Sequence, residues 1–553
     1  VKTFVHLTAI SILIFIWFYM WRKCYNPLET ACFTGFGGGD HHQHFYSWLA
    51  YSENGSLLPP KFDQWTWPIE TPLIYGDSIP ILSIILKPIA SITHNSFQYF
   101  SIASFINLLI VYICSIRIGE KFRINTFGVV ALGFALSLSP IALQRLNGHE
   151  ALAMQSAIII PIMFLATRIK NILAWGLALF IPFGVHAYYV PIVIGLAAFN
   201  LITIETGSSA KVRLKEITKH VSVYTIVSIA ALYIFGYLPT NAKVATEGPF
   251  WSSNVNSIIN PGQYSYLFPE QATIKPYQWE GYSYIGSSAI AALLALVIFR
   301  LVYNKLQIGD NIKTPSIFPK PILYLIFMIV LWVVSLGRPI YYNIFEISDA
   351  NLAVSSMGSV AYTFRSIGRF IWPVGYSIII WVFCSLFNNS RYGKKALSFI
   401  AIFLIILTFE TSFKAIESVH STMYSRGASS LKHHANADPK LVNLIFTHKC
   451  LINASQNPNI RITQLPQYFI QSINPQIKTN YFPSLARTPK DLTNFLEEKP
   501  CTIVENSIGL INTDPYSILF IMRDEDKMCS KYALQKIYEF DDEKHGIYKI
   551  SEV

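Results

Sequence analysis

Charged residues are scarce in this chain of 553 residues, at 14% of the total. A soluble domain carries about 25%, so that class is excluded and a membrane protein is implied. Cysteine is scarce as well, and seven residues are too few for a disulfide scaffold. Cys114 and Cys384 fall in apolar runs and read as packing residues. Cys24, Cys32, Cys450, Cys501 and Cys529 suit one or two disulfides, whose pairing the sequence leaves open. No internal repeat or low-complexity tract is present, which counts against transporters built from two related halves. No small-x-small cleavage site closely follows the first apolar run, and Trp17 through Trp21 make an interfacial aromatic belt. Residues 4–20 therefore read as a retained anchor, not a signal peptide.

What the chain has in abundance is apolar sequence, at 52%. A helix crossing a bilayer needs ~17–25 such residues. Runs near that length cover 4–21, 97–117, 124–143, 151–168, 171–186, 187–204, 221–238, 286–303, 321–337, 371–387 and 396–411. The expected fold is a polytopic α-helical membrane protein with about eleven transmembrane helices. The net charge of +11 gathers in short loops between these runs, so no nucleic-acid partner is expected.

Those loops also set an orientation. Arg117, Lys121 and Arg123 close one; Arg168 and Lys170 close another. Lys211, Arg213, Lys215 and Lys219, then Lys305, Lys313 and Lys320, then Arg391, Lys394 and Lys395 fill three more. All five share one side if the run Ile79–Ile92, short and interrupted by Lys87-Pro88, lies in the interface without crossing. Positive loops stay cytoplasmic, with Arg22 and Lys23 a local exception. The N-terminus is then cytoplasmic, and residues 22–96, Gln144–Glu150, Pro239–Ile285 and Gly337–Arg369 face outward. Residues 1–411 read as the membrane domain and 412–553 as an extracytoplasmic α+β domain, with strand-like pieces at Cys501–Val504 and Tyr516–Met522.

The outward regions hold the residues that can carry chemistry. Asp40 follows Gly37–Gly39, and glycines let backbone and ligand approach closely. It is also placed to cap a helix over His41–Tyr51, a role compatible with that of a base. His41, His42 and His44 raise a metal reading, and Asp40 and His44 share a helix face. A zinc site needs three or four convergent ligands, and adjacent His41 and His42 point apart on a helix. Surface or substrate-contacting histidines are the reading adopted; no cofactor and no metal is assigned.

Asp77 reads as the cap of the helix that follows, with Pro80 in its first turn, ahead of a second acid near Asp40. Arg145, His149 and Glu150 in one turn are more than a turn beside a bilayer requires. His186 and Tyr188 close the next outer turn. Asn260, Glu280 and Tyr282 lie among aromatics that suit sugar faces, and equally suit an ordinary structured loop. Arg365 and Arg369, four apart on one helix face, suit a phosphate clamp; the plainer reading is headgroup anchoring.

In order along the chain, these pieces are Gly39-Asp40 with His44, Asp77-Ser78-Ile79-Pro80, Arg145 with Gly148-His149, and His186-Ala187-Tyr188. Asn260-Pro261, Glu280-Gly281-Tyr282 with Tyr284-Ile285-Gly286, and Phe364-Arg365-Ser366 through Trp372-Pro373 follow. The layout resembles the GT-C superfamily of membrane glycosyltransferases, and more closely a bacterial family of uncharacterised GT-C-like membrane proteins. The acidic pair common in the first GT-C loop is missing, because His41 follows Asp40. The resemblance implies transfer of a sugar from a polyprenyl-phosphate donor, on the outer side of the cytoplasmic (inner) membrane, with the inversion of the anomeric centre that is common among GT-C enzymes. Asp40 would be the catalytic base. His44, Asp77, Arg145, His149, His186, Tyr188, Asn260, Glu280, Tyr282, Arg365 and Arg369 would bind substrates. The partners implied are that donor, a cell-envelope glycan acceptor such as O-antigen, and membrane lipids. The competing function is a transporter or flippase of lipid-linked or polar solutes. It would place charges near the bilayer centre, whereas these polar stations cluster at helix ends.

Overall fold

The computed structural model describes residues 2–33, 40–64, 70–93, 97–204, 210–238, 251–274, 278–305, 316–358, 364, 366–388, 394–435, 439–448, 450–453, 478–479, 503, 518–523, 534–539 and 545–550. In chain order the helices are α1 (Lys2–Trp21), α2 (Asp40–Asn54), α3 (Pro80–Thr93), α4 (Phe100–Lys121), α5 (Thr126–Ser137), α6 (Pro140–Leu146), α7 (Ser156–Thr167) and α8 (Ile172–Val185). They continue as α9 (Tyr189–Ile202), α10 (Ala210–Ile234), α11 (Ser287–Lys305), α12 (Pro321–Ser335), α13 (Leu352–Ser356), α14 (Trp372–Phe387), α15 (Lys394–Ala435) and α16 (Pro439–Thr447). Each apolar run named above is helical.

Local chemistry sets the boundaries. Asn125 and Asn171 cap α5 and α8, accepting from the N–H of Gly128 and Ala174 at 2.7 and 3.0 Å. Pro140 and Pro321 open α6 and α12, where a missing N–H costs nothing. Among the described residues seven helical stretches are long and apolar enough to cross a membrane: Lys2–Tyr25, Phe100–Lys121, Thr126–Leu146, Glu150–Thr167, Ala210–Ile234, Ile367–Phe387 and Lys395–Arg426. The runs at 171–186, 187–204, 286–303 and 321–337 form shorter apolar helices, as does α3, which keeps Pro88 inside it.

The chain divides into two compact units. The first comprises Val1–Tyr25, Phe100–Ile229 and Ala245–Met423. Here α4 packs on α5 and α7, α14 packs on α11, α5 and α7, and α9 packs on α7 and α8. Helix α14 is almost wholly buried, whereas α10 and α12 leave Ile226, Ile229, Ile322 and Leu325 exposed. Apolar side chains exposed in rows on long helices have a favourable partner only in lipid. This is a helical membrane protein. Polar side chains tie the helices at depth: Tyr324 and Ser377 share a hydrogen bond of 2.7 Å, and Asn107 bridges Ala153 O and Ser156 N.

The second unit comprises Asn26–Tyr99, Ala230–Val244 and Tyr424–Val553. Helix α2 packs on α3, and Lys87 Nζ closes the end of α2 by donating to Tyr51 O and Ser52 O at 2.6 and 3.1 Å. Strands β1 (Lys61–Phe62) and β2 (Thr71–Pro72) pair antiparallel. A second antiparallel pair, β3 (Ile340–Tyr342) and β4 (Phe345–Ser348), belongs to the first unit. Late in the chain β5 (Cys450–Asn453), β6 (Lys478–Thr479), β7 (Ile518–Arg523), β8 (Leu534–Glu539) and β9 (His545–Ile550) form one sheet in the order β6-β5-β7-β9-β8. It is parallel at β5–β6 and β5–β7 and antiparallel at β7–β9 and β8–β9.

Three expectations need correction here. Residue 411 is not the end of a helix, because α15 runs on to Ala435 through sequence that is polar yet helix-forming. The rings of His41 and His42 do not point apart; their centroids lie 3.9 Å from one another. Of the strand-like pieces, Tyr516–Met522 overlaps β7, while Cys501–Val504 lies outside the described residues except for Ile503, which is helical. Cys24 and Cys32 are disulfide-bonded, and Cys114, Cys384 and Cys450 are buried thiols outside any disulfide.

Candidate functional site

Two short 3₁₀ turns and the end of α6 converge in the first unit. The turns are Trp279–Gly281 and Ile367–Ile371. Their backbones touch. A Cβ on Gly281 would lie 2.3 Å from Ser253 Cα, and one on Gly368 would lie 2.7 Å from Ser252 C and 2.9 Å from Gly281 Cα. Only glycine permits this approach. The Gly368 N–H then reaches Trp251 O at 3.0 Å.

This contact brings the neighbours of the two glycines, Glu280 and Arg369, face to face. Arg369 Nε and Nη2 each lie 2.8 Å from Glu280 Oε2. Arg145, near the end of α6, approaches the same oxygen with Nη1 at 2.9 Å, an ion pair by distance but out of line for a hydrogen bond. Its Nη2 donates to Glu280 O at 2.7 Å and Trp279 O at 3.3 Å, while its Nε makes no hydrogen bond. The Arg145 guanidinium lies 4.9 Å from the Trp279 ring centroid and 5.3 Å from that of Trp372, and the residue is 1% exposed.

Burial pushes the Glu280 carboxyl up; Arg145 and Arg369 outweigh it and hold it down at about 2. Glu280 is therefore ionised and engaged, and is not available as a proton acceptor near neutral pH. Two guanidinium groups thus face one carboxylate in a buried cluster.

The cluster extends through rings. The Arg369 guanidinium lies 4.1 Å from the Tyr188 centroid, Tyr188 stacks on His186 at 5.5 Å, and His186 meets His149 edge-on at 5.0 Å. The Tyr188 hydroxyl accepts from the Ser366 N–H at 2.8 Å, which fixes the start of the second turn. The Tyr188 N–H donates to His186 Nδ1 at 3.2 Å, so a neutral His186 carries its proton on Nε2.

Of the residues singled out in the sequence, Arg145, His149, His186, Tyr188, Glu280 and Arg369 therefore meet in one place. Arg365 lies outside the described residues. Asn260 and Tyr282 are spent on their own loop. Asn260 accepts from Gly262 N and Gln271 N and donates to Gln271 O; Tyr282 donates to Pro261 O at 3.1 Å.

The sequence reading passed over two features. Trp372 flanks Arg145 and donates its ring N–H to Tyr282 O at 3.2 Å, although only its place in a motif was noted. Glu410, a carboxylate at the end of an apolar run, accepts from Ser265, Tyr266 and Leu267 on one oxygen and from Ser287 and Thr411 on the other. It holds the loop before α11 onto α15.

The remaining candidates belong to the second unit. Asp40 is the first residue of α2 and is exposed, while His44 is fully buried one turn on. Gly37–Gly39 lie outside the described residues. Asp77 is buried with left-handed backbone (φ 52°) at the end of the turn Leu73–Gly76. The residue directly before α3 is Ile79, whose C=O accepts from Leu82 and Ser83, so Asp77 does not stand at the cap position expected for it.

A comparison with protein families matches residues 8–411 to a family described as Domain of unknown function (DUF6311). The chain belongs to the DUF6311 family. Its matched region begins in α1, ends in α15 and contains every site residue named above. No curated protein matches this DUF6311 chain.

Proposed function

We propose that the chain is a membrane glycosyltransferase that moves a sugar from a polyprenyl-phosphate donor to a cell-envelope glycan acceptor, with Asp40 as general base. The observation that carries this reading is the buried Arg145–Glu280–Arg369 cluster. Its two convergent guanidinium groups and the unused Arg145 Nε–H suit a phosphate group, and Trp279 and Trp372 provide flat apolar walls beside it. In this reading Arg145 and Arg369 hold the donor phosphate, and Glu280 positions both guanidinium groups. His149, His186 and Tyr188 extend the polar wall.

Asp40 removes the proton of the acceptor hydroxyl, whose oxygen forms the new bond to the anomeric carbon. The bond from that carbon to the phosphate oxygen breaks, and the lipid phosphate leaves as an anion that the arginines stabilise. No general acid is required. The exposed apolar helix faces suit the donor's polyprenyl tail.

The topology that goes with this reading has eleven spans, a cytoplasmic N-terminus, and the arginine cluster and the C-terminal sheet on the outer side of the bacterial inner membrane. Asp40→Asn keeps the size of the side chain and removes its basicity. Transfer should fall ~10²–10⁴-fold with expression and folding unchanged. Surface glycans of cells carrying only this variant are the readout, and normal glycans would sink the base assignment.

A further inference from the structure

Helix α15 continues past the apolar run that ends at 411, and its next turns have two faces. Ala415, Ile416, Val419 and Met423 are buried. Lys414, Glu417, Ser418 and Ser421, spaced i, i+3, i+4 and i+7, form the opposite stripe. A polar stripe of this kind ordinarily faces open water. Here it makes one wall of a groove of about 490 Å³ within the first unit. Tyr19 at the end of α1, and Gln263 and Tyr264 in the loop before α11, make the others.

Side-chain contacts fix these walls. The His420 ring stacks on Tyr19 at 4.2 Å and its Nδ1 donates to Tyr19 O at 2.7 Å, so a neutral His420 offers Nε2 as an acceptor. Lys414 Nζ donates to Ser265 O at 2.9 Å and lies 4.2 Å from the Tyr266 ring centroid, which ties the loop to α15. Tyr264 meets Tyr282 edge-on at 5.6 Å, and its hydroxyl accepts from Asn147 Nδ2 at 3.4 Å. Asn147 and Tyr282 each stand two residues past a member of the arginine cluster, Arg145 and Glu280. The groove therefore rests on the two chain segments that carry that cluster.

The lining matches one chemical class. A sugar ring has a flat C–H face and a rim of hydroxyls, each able to donate and accept. The partly exposed Tyr19 ring offers an amphipathic flat surface. Gln263 offers an amide donor and acceptor, Glu417 a carboxylate, and Ser418 and Ser421 hydroxyls that serve either way. Among the described residues these four side chains make no hydrogen bond within the protein. An acyl chain would leave the polar stripe without partners, and an inorganic anion would face Glu417. We infer that this groove binds a saccharide, and that it seats the acceptor glycan beside the arginine cluster. The role as acceptor site rests on the transferase reading above; the saccharide chemistry does not.

The test uses the full chain purified in detergent. The probe is the soluble glycan released by mild acid from the envelope of cells lacking this gene, with binding read by titration calorimetry. Wild type should bind it, and Gln263→Ala/Glu417→Ala should bind roughly tenfold more weakly. Both side chains are exposed, so the variant should melt with wild type. Lys121→Gln, at the end of α4, should bind as wild type does. The same glycan, opened at its vicinal diols by periodate and then reduced, should lose most of its affinity. Asp40→Asn should bind normally while transfer is lost. No binding by wild type, equal binding by the double variant, or equal binding of the opened glycan would overturn the saccharide site and leave the Asp40 test of transfer standing. Weakened binding by the double variant with an unchanged KM for the glycan would overturn the acceptor role alone.

Discussion

Glu280 shows how one side chain organises its surroundings. Its carboxylate takes ion-pair contacts from both arginines within 2.9 Å, and the pair holds it near pKa 2 against the opposing effect of burial. Glu280→Gln keeps the shape and leaves two buried guanidinium groups facing each other. Breaking a buried pair in this way costs about 3–5 kcal/mol, so the purified variant should melt at a clearly lower temperature near neutral pH. The acid response gives the sign. An unfolded glutamate titrates near ~4.3, above the folded value. The stabilisation is therefore complete above that pH and is lost as pH falls through the folded pKa of about 2. Wild type should lose melting temperature as pH drops below about 4, and Glu280→Gln should lose less over the same range. Parallel curves for the two proteins would show that the carboxylate does not hold the cluster.

The two glycine turns extend that argument to elements. The sequence places Glu280 and Arg369 in separate outer regions, and nothing in periodicity or composition brings them together. What does so is backbone contact through Gly281 and Gly368, a tertiary fact carried by residues without side chains. A methyl group on either meets main-chain atoms at 2.3 to 2.9 Å and must push the turns apart. Gly281→Ala and Gly368→Ala should each cost about 1–3 kcal/mol and impair transfer more than stability, because the ion pairs require the spacing. Gly148→Ala is the control. Its Cβ would meet nothing within 4 Å, so melting and glycan output should both stay at wild-type values. Helices were legible as apolar runs, whereas the caps Asn125 and Asn171 and the first residues Pro140 and Pro321, which set their boundaries, were passed over. The course of α15 beyond 411 was not, since hydropathy marks where apolar sequence stops and the helix continues past it. Asn260 and Tyr282, among aromatics that suit a sugar face and an ordinary structured loop alike, make hydrogen bonds that close a loop.

For the whole molecule, the distribution of charge makes the strongest claim about how the chain sits in a bilayer. Lysine and arginine gather in five stretches after α3 that share one side, and with a cytoplasmic N-terminus that side is the cytoplasmic one only if α3 does not cross. Its 14 residues and internal Pro88 favour that arrangement. If α3 did cross, every basic loop after it would face outward against the usual charge bias. Ala350 and Lys215 are both exposed and fall on opposite sides in this scheme, Lys215 near the start of α10. Cysteine placed at each, in a background lacking the native free thiols, separates the alternatives with a membrane-impermeant maleimide. Ala350→Cys should react in intact cells, and Lys215→Cys only after the membrane is opened. The opposite pattern would invert the topology and move the Arg145–Glu280–Arg369 cluster to the cytoplasmic side. A lipid-linked donor used outside the membrane could not then reach it, so the transferase reading would fail together with the orientation.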